Sequence, residues 1–153
     1  MRTQVLIVGG GPSGLLLARL LSRQGIESVV LERKTKEYVL GRIRAGILEQ
    51  GFVSLMREAG VNDRMDANGF IHEGTIIAND DDEFRIDFKG LTGTSVMVYG
   101  QTELTKDLYD ARERDGGQII HEVENVEIFN ANSEQPYVEF VKDGTGRRIE
   151  CDY

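Results

Sequence analysis

Val5-Leu6-Ile7-Val8 runs into Gly9-Gly10-Gly11-Pro12-Ser13-Gly14, then a helix-like stretch from Leu15, then Ser28-Val29-Val30-Leu31-Glu32-Arg33. Apolar strand, glycine loop, helix, strand and terminal acid is the order of a βαβ unit that holds a dinucleotide by its pyrophosphate and ribose. Gly9 and Gly11 allow a tight turn that brings bare backbone N–H groups to a phosphate, and Gly14 lets the helix lie close to the sheet. Pro12 suits the first helical turn, where its missing N–H costs nothing, and the helix end turns its positive pole to the diphosphate. Leu16, Leu17, Leu20 and Leu21 favour one helical face, Arg19, Arg23 and Gln24 fall mostly elsewhere, and Gly25 stops the helix. Glu32 ends the second strand eighteen residues beyond Gly14, where a carboxylate can accept from two ribose hydroxyls.

A glycine-rich turn alone is common in α/β domains; here it coincides with a strand before, a helix after and an acid at the right distance. At 153 residues the chain suits one domain with a real core. Its net charge of −8 argues against a nucleic-acid partner. No stretch approaches the roughly 18–20 apolar residues of a membrane span, and the start reads as a strand rather than a signal peptide. The single cysteine, Cys151, excludes an internal disulfide and fits a reducing, cytoplasmic setting; it reads as packing. One Cys and two His without ligand spacing predict no metal site.

Lys34 to Ala45 is a polar, strongly charged connection, and a second helix is expected from Ile47 to Ala59 with Leu48, Phe52, Leu55 and Met56 inward, ended by Gly60. Phe70 to Ala78 and Phe84 to Phe88 read as strands around an acidic turn, and Ser95 to Tyr99 as another strand. Thr102 to Arg114 reads as a helix with Thr102 as N-cap. Gln118 to Glu122, Val126 to Phe129, Tyr137 to Val141 and Arg147 to Asp152 alternate as strands, the last two flanking Asp143-Gly144-Thr145-Gly146. The expected fold is therefore α/β: a Rossmann-like βαβ core carrying inserted antiparallel hairpins.

The glycine loop, Glu32-Arg33, the block from Tyr38 to Gly51 (YVLGRIRAGILEQG), His72-Glu73-Gly74 and Val98 to Glu103 together resemble the N-terminal part of the 4-hydroxybenzoate 3-monooxygenase family of class A flavoprotein aromatic hydroxylases. The similarity runs almost the whole length, and the arginine-rich block carries more specificity than the glycine loop. The resemblance implies FAD held by Gly9, Gly11, Pro12, Ser13 and Gly14, with Glu32 on the adenosine ribose and Arg33, Arg42, Arg44, Ala45, Gly46, Ile47 and Gln101 around the cofactor. It implies transient NAD(P)H binding over Arg33, Lys34, Tyr38, Arg42 and Arg44, whose positive charge suits the 2′-phosphate of NADPH, with NADH as the other donor. His72 matches the solvent end of a proton relay, a task for which an imidazole is suited, while His121 has no such match and reads as structural.

The reaction implied is insertion of one atom of O2 ortho to the hydroxyl of a phenolic acid, with NAD(P)H reducing FAD. The cofactor carries the chemistry, so the lack of a Ser/His/Asp or paired-carboxylate constellation does not count against an enzyme. Family members continue beyond the point matching Tyr153 into a second flavin motif, substrate-binding residues and dimerising helices, so residues 1–153 are expected to be an incomplete FAD-binding domain, the longer protein a homodimer, and the fragment alone inactive. Two alternatives stay open: an NAD-dependent dehydrogenase domain, which predicts a longer parallel αβ series in place of the hairpins, and a non-catalytic dinucleotide-binding module.

Overall fold

Strand β1 (Val5–Val8), helix α1 (Pro12–Arg23) and strand β2 (Ser28–Leu31) form the expected βαβ start of a parallel sheet. The computed structural model describes residues 1–153. β1 and β2 pair in parallel from Val5 opposite Ser28 to Val8 opposite Leu31. The chain then forms α2 (Lys36–Gly41), β3 (Ile47–Glu49), α3 (Gln50–Glu58), α4 (Asp63–Asn68), β4 (Phe70–His72), and the hairpin β5 (Gly74–Asn79) and β6 (Asp82–Asp87). After α5 (Phe88–Thr92), β7 (Val96–Val98) and α6 (Gln101–Arg114), β8 (Gln118–Ile120) joins β2 in parallel, giving the order β1-β2-β8. A meander of β9 (Glu124–Phe129), β10 (Tyr137–Lys142) and β11 (Thr145–Glu150) closes the chain.

All four residues of β2 are buried because both faces of the parallel sheet are covered. On one face Val30 packs with Ile7 and Ala18 beneath α1; on the other, Val29 and Leu31 meet Val123, Val138, Phe140 and Ile149 of the meander and its approach. The largest cluster joins α1, α3, α4, β7 and α6 through Leu15, Leu16, Val53, Met56, Met65 and Met97, with Leu104, Leu108 and Tyr109. Each fully buried side chain of that size contributes about 1.5–3 kcal/mol. Cys151 is buried near the Pro136 carbonyl, as packing predicts. The last residues run beside β1, where Leu6 N–H donates to Tyr153 and Asp152 N–H to Gln4. No helix is long and apolar enough to cross a membrane.

The structure corrects several expectations. The charged connection contains α2, capped by the Thr35 hydroxyl, which accepts from Tyr38 N–H at 3.1 Å. Ile47 to Glu49 form a strand, not the first helical turn, because β7 recruits them in antiparallel pairing from Ile47 opposite Val98; α3 starts only at Gln50. On α3, Val53 and Met56 are buried while Leu55 is 40% exposed. The expected strand from Phe70 to Ala78 breaks at Glu73: β4 pairs with β7 and β5 pairs with β6. On α1 the buried residues are Leu15, Leu16 and Ala18, and Leu17 is on the exposed side. Gly100, not Thr102, is the N-cap of α6. Only β1, β2 and β8 pair in parallel; the antiparallel sheets β3-β7-β4 and β5-β6 intervene between β2 and β8, without the longer parallel series of the dehydrogenase alternative.

Candidate dinucleotide site

Glu32 is the first fixed point of the site, because backbone N–H groups grip both of its oxygens. Oε2 accepts from Gly10 at 2.8 Å and Oε1 from Lys34 at 2.9 Å. A carboxylate has about four acceptor positions, so each oxygen keeps capacity for a ligand hydroxyl. Beside it, α1 begins at Gly11 with no side-chain cap and no acidic residue in its first turn, leaving the positive helix end uncompensated. An added Cβ at Gly11 meets no atom within 4 Å, so the loop faces open space there. Gly14 is the opposite case: a Cβ would lie 2.1 Å from the Gly9 carbonyl oxygen, so helix and strand approach at that distance only because the side chain is absent.

These parts line a cavity of about 350 Å³ together with Arg33, Lys34, Tyr38, Arg42, Arg44 and Gln101. None of the four basic residues makes an ion pair: Arg33, Lys34, Arg42 and Arg44 lie outside every salt bridge in a protein of net charge −8. Unpaired guanidinium groups clustered at a bare helix N-terminus are a recognition surface for phosphate oxygens.

Gly46 and the β7–α6 corner bring Arg44 and Gln101 to one cavity. Tyr99 N–H donates to the Gly46 carbonyl at 2.7 Å, and a Cβ on Gly46 would stand 2.3 Å from the Tyr99 carbonyl oxygen. The corner is braced from below: buried Tyr99 donates its hydroxyl to Asp107 at 2.7 Å, and Arg64 of α4 binds both Asp107 and Glu103. Burial, with the Asp107 carboxylate second, holds the Tyr99 phenol well above its ordinary range.

Of the residues expected at the site, Gly11, Pro12, Glu32, Arg33, Lys34, Tyr38, Arg42, Arg44 and Gln101 meet in the cavity. Ser13 lies in the first turn of α1, and Gly9 lines a second hollow of about 560 Å³ on the other side of residues 32–34, toward β9. Gly46 acts through packing against Tyr99, while Ala45 and Ile47 are exposed and outside the lining. His72 ends β4 opposite Val96, exposed to solvent and away from the cavity. Val39 and Thr105 line the cavity without having been singled out in the sequence. Thr105 was legible as the residue one turn beyond Gln101 on α6, where its hydroxyl donates to the Gln101 carbonyl at 2.7 Å.

From residue 2 to residue 153 the sequence matches the FAD binding domain family. The chain belongs to that family. As an FAD binding domain it is similar to p-hydroxybenzoate hydroxylase of Acinetobacter baylyi, at 46% identity over 157 residues, covering 100% of this chain and 38% of that protein. A probable NADH-specific resorcinol 4-hydroxylase of Rhodococcus jostii is 38% identical over 85 residues, covering 56% of this chain and 16% of that protein. The chain thus spans well under half the length of the curated relatives it matches. Among solved structures, p-nitrophenol 4-monooxygenase of Pseudomonas putida superposes with a TM-score of 0.83 at 19% identity, over 99% of this chain and 40% of that one. Anhydrotetracycline hydroxylase of Streptomyces rimosus gives 0.80 at 22% identity, over 100% and 31%. These likenesses establish a shared fold. The chemistry of the cavity fits a dinucleotide: an open glycine loop at a helix N-terminus, a carboxylate just past β2 with acceptor capacity left, and unpaired cations.

Proposed function

We propose that the chain is the FAD-binding part of a flavin monooxygenase that hydroxylates 4-hydroxybenzoate, or a close phenolic acid, ortho to its hydroxyl. The observation that carries this reading is the set of unpaired cations Arg33, Lys34, Arg42 and Arg44 around the glycine loop and Glu32. The identity to p-hydroxybenzoate hydroxylase supports the choice of substrate. In balance, 4-hydroxybenzoate, O2, NAD(P)H and a proton give 3,4-dihydroxybenzoate, NAD(P)⁺ and water. Bound FAD would supply hydride acceptance and O2 activation, chemistry no side chain here can perform.

The protein's part is to bind and orient. The N–H groups of Ser13 and Gly14 at the α1 end hold the pyrophosphate, Glu32 accepts the adenosine ribose hydroxyls, and Arg42 and Arg44 neutralise phosphate charge. Gln101, presented by α6, donates and accepts beside the cofactor. Arg33, Lys34 and Tyr38 form the lip that meets the nicotinamide donor, and their charge favours NADPH over NADH. His72 serves as the outer end of a relay to the phenol, a reading that its solvent exposure at the end of β4 supports. Residues 1–153 are then an incomplete domain of a longer, cytoplasmic homodimer, and substrate-contacting groups lie outside them.

The test is to purify the longer protein carrying this chain, record its flavin absorbance, and follow NADPH and NADH oxidation with and without 4-hydroxybenzoate. Bound flavin with substrate-stimulated oxidation and a dihydroxy product supports the reading; a colourless protein that retains NAD(P) overturns it. In the same protein, His72→Asn slows substrate-stimulated oxidation at least about tenfold while flavin content holds; unchanged rates remove the relay role.

A further inference from the structure

Helix α2 and the residues leading into it form the outer lip of the cavity. α2 is six residues long and has no fully buried residue; its half-buried Val39 and Leu40 pack against the core, while the entry at residues 34–36 is held by polar contacts. One is the ion pair of Lys36 with Glu113. Another is made by His121, just beyond β8, whose Nδ1 lies 2.9 Å from the Lys34 carbonyl oxygen. A carbonyl can only accept, so Nδ1 carries the hydrogen in this contact.

His121 is itself positioned. Its ring stacks on Tyr109 with centroids 5.8 Å apart and planes at 16°. Tyr109 is 1% exposed and reaches the Gly10 carbonyl through a long hydrogen bond of 3.5 Å. Lys36 covers the Tyr109 ring at 5.5 Å, and the Lys34 ammonium lies 5.2 Å from the Tyr38 ring. A continuous line of contacts therefore runs from Gly10 of the glycine loop through Tyr109 and His121 to Lys34 and Tyr38, which stand in the cavity wall with Gly11, the neighbour of Gly10.

We propose that His121 is a positioning residue of the dinucleotide site: by holding the Lys34 carbonyl it sets the gap between the Lys34–Tyr38 lip and the glycine loop, and so the discrimination between 2′-phosphorylated and plain nicotinamide dinucleotides. This rests on the NAD(P)H part of the proposed function. The cations Arg33 and Lys34 act on a 2′-phosphate through charge, which weakens with distance and with screening. NADH lacks that phosphate and is less affected by a displaced lip. His121 touches neither reacting atoms nor cofactor in this scheme.

The test uses the FAD-loaded longer protein with His121→Ala and His121→Asn, the asparagine amide being able to replace the Nδ1 donor. In His121→Ala, KM for NADPH rises about fivefold or more and KM for NADH less than about twofold, the loss of one hydrogen bond's worth of positioning. In that variant kcat and FAD affinity hold, and amide exchange quickens across residues 35–41. His121→Asn restores both the KM ratio and the exchange. An unchanged KM ratio in His121→Ala overturns the inference, as does a loss of FAD affinity and kcat in step, the pattern of a general structural defect. A wild-type protein that oxidises neither dinucleotide overturns the proposed function and this inference with it, which separates the two failures.

Discussion

At Gly14 an alanine methyl would meet the Gly9 carbonyl oxygen at 2.1 Å, and neither backbone can give way without parting α1 from β1. Gly14→Ala is expected to cost at least about 2 kcal/mol of stability by overpacking and to abolish flavin retention; denaturant melts and flavin absorbance check both. Glu32→Gln keeps the shape but sets an amide N–H against one of the donors at Gly10 or Lys34. It should weaken FAD binding at least about tenfold, as loss of a charged hydrogen bond does, read by flavin fluorescence titration. Tyr99→Phe removes the buried hydroxyl that binds Asp107 while Arg64 still neutralises the carboxylate. The expected loss is about 1–3 kcal/mol with a weaker flavin site, because the same corner carries Gln101. The glycine loop and the placement of Glu32 beside it were legible from spacing, since both follow from the local backbone. The Tyr99–Asp107–Arg64 brace was not, because its members come from the corner after β7, from α6 and from α4, and only folding brings them together.

At the level of elements, sequence patterns read well where an element satisfies itself. The β10–β11 hairpin is such a case: Asp143 and Gly144 take φ of 53° and 70°, the primed turn that matches strand twist. Gly144→Val forces a β-branched residue into that conformation and is expected to cost about 1–2 kcal/mol, measured by the denaturation midpoint. Elements set by a partner read poorly. Ile47 to Glu49 have a helix-compatible pattern, but the free edge of β7 takes them as a strand. α2 was hidden in a run of charges because its local signal is only the Thr35 hydroxyl on Tyr38 N–H, and its other contacts reach segments distant in sequence. Thr35→Ala should speed amide exchange of residues 36–41 by a factor matching the loss of a cap, about 1 kcal/mol, with global stability nearly unchanged.

For the whole molecule, alkaline pH is the informative stress. Burial first, then the charges of Glu32 and Glu37, push the Tyr109 phenol up to about 12, and Tyr99 and Cys151 are also raised by burial. In the unfolded chain a tyrosine titrates near 10, so between about pH 10 and 12 the folded state holds the Tyr109 proton that the unfolded state has released. Stability is therefore complete below the unfolded value and falls as pH rises through that window, by an amount on the order of 2–3 kcal/mol for Tyr109. Denaturation midpoints against pH measure it, with Tyr109→Phe expected to flatten the slope. The sequence by itself determined the βαβ unit, the glycine loop, the acid just past β2 and the arginine-rich segment, because each follows from local spacing, and their union in one cavity accords with that spacing. Only the tertiary structure decided that His72 stands apart from this cavity, that His121 sits beneath its lip and that Gly46 locks against Tyr99. Those placements depend on strand pairing and packing between distant segments, whose geometry no local pattern specifies.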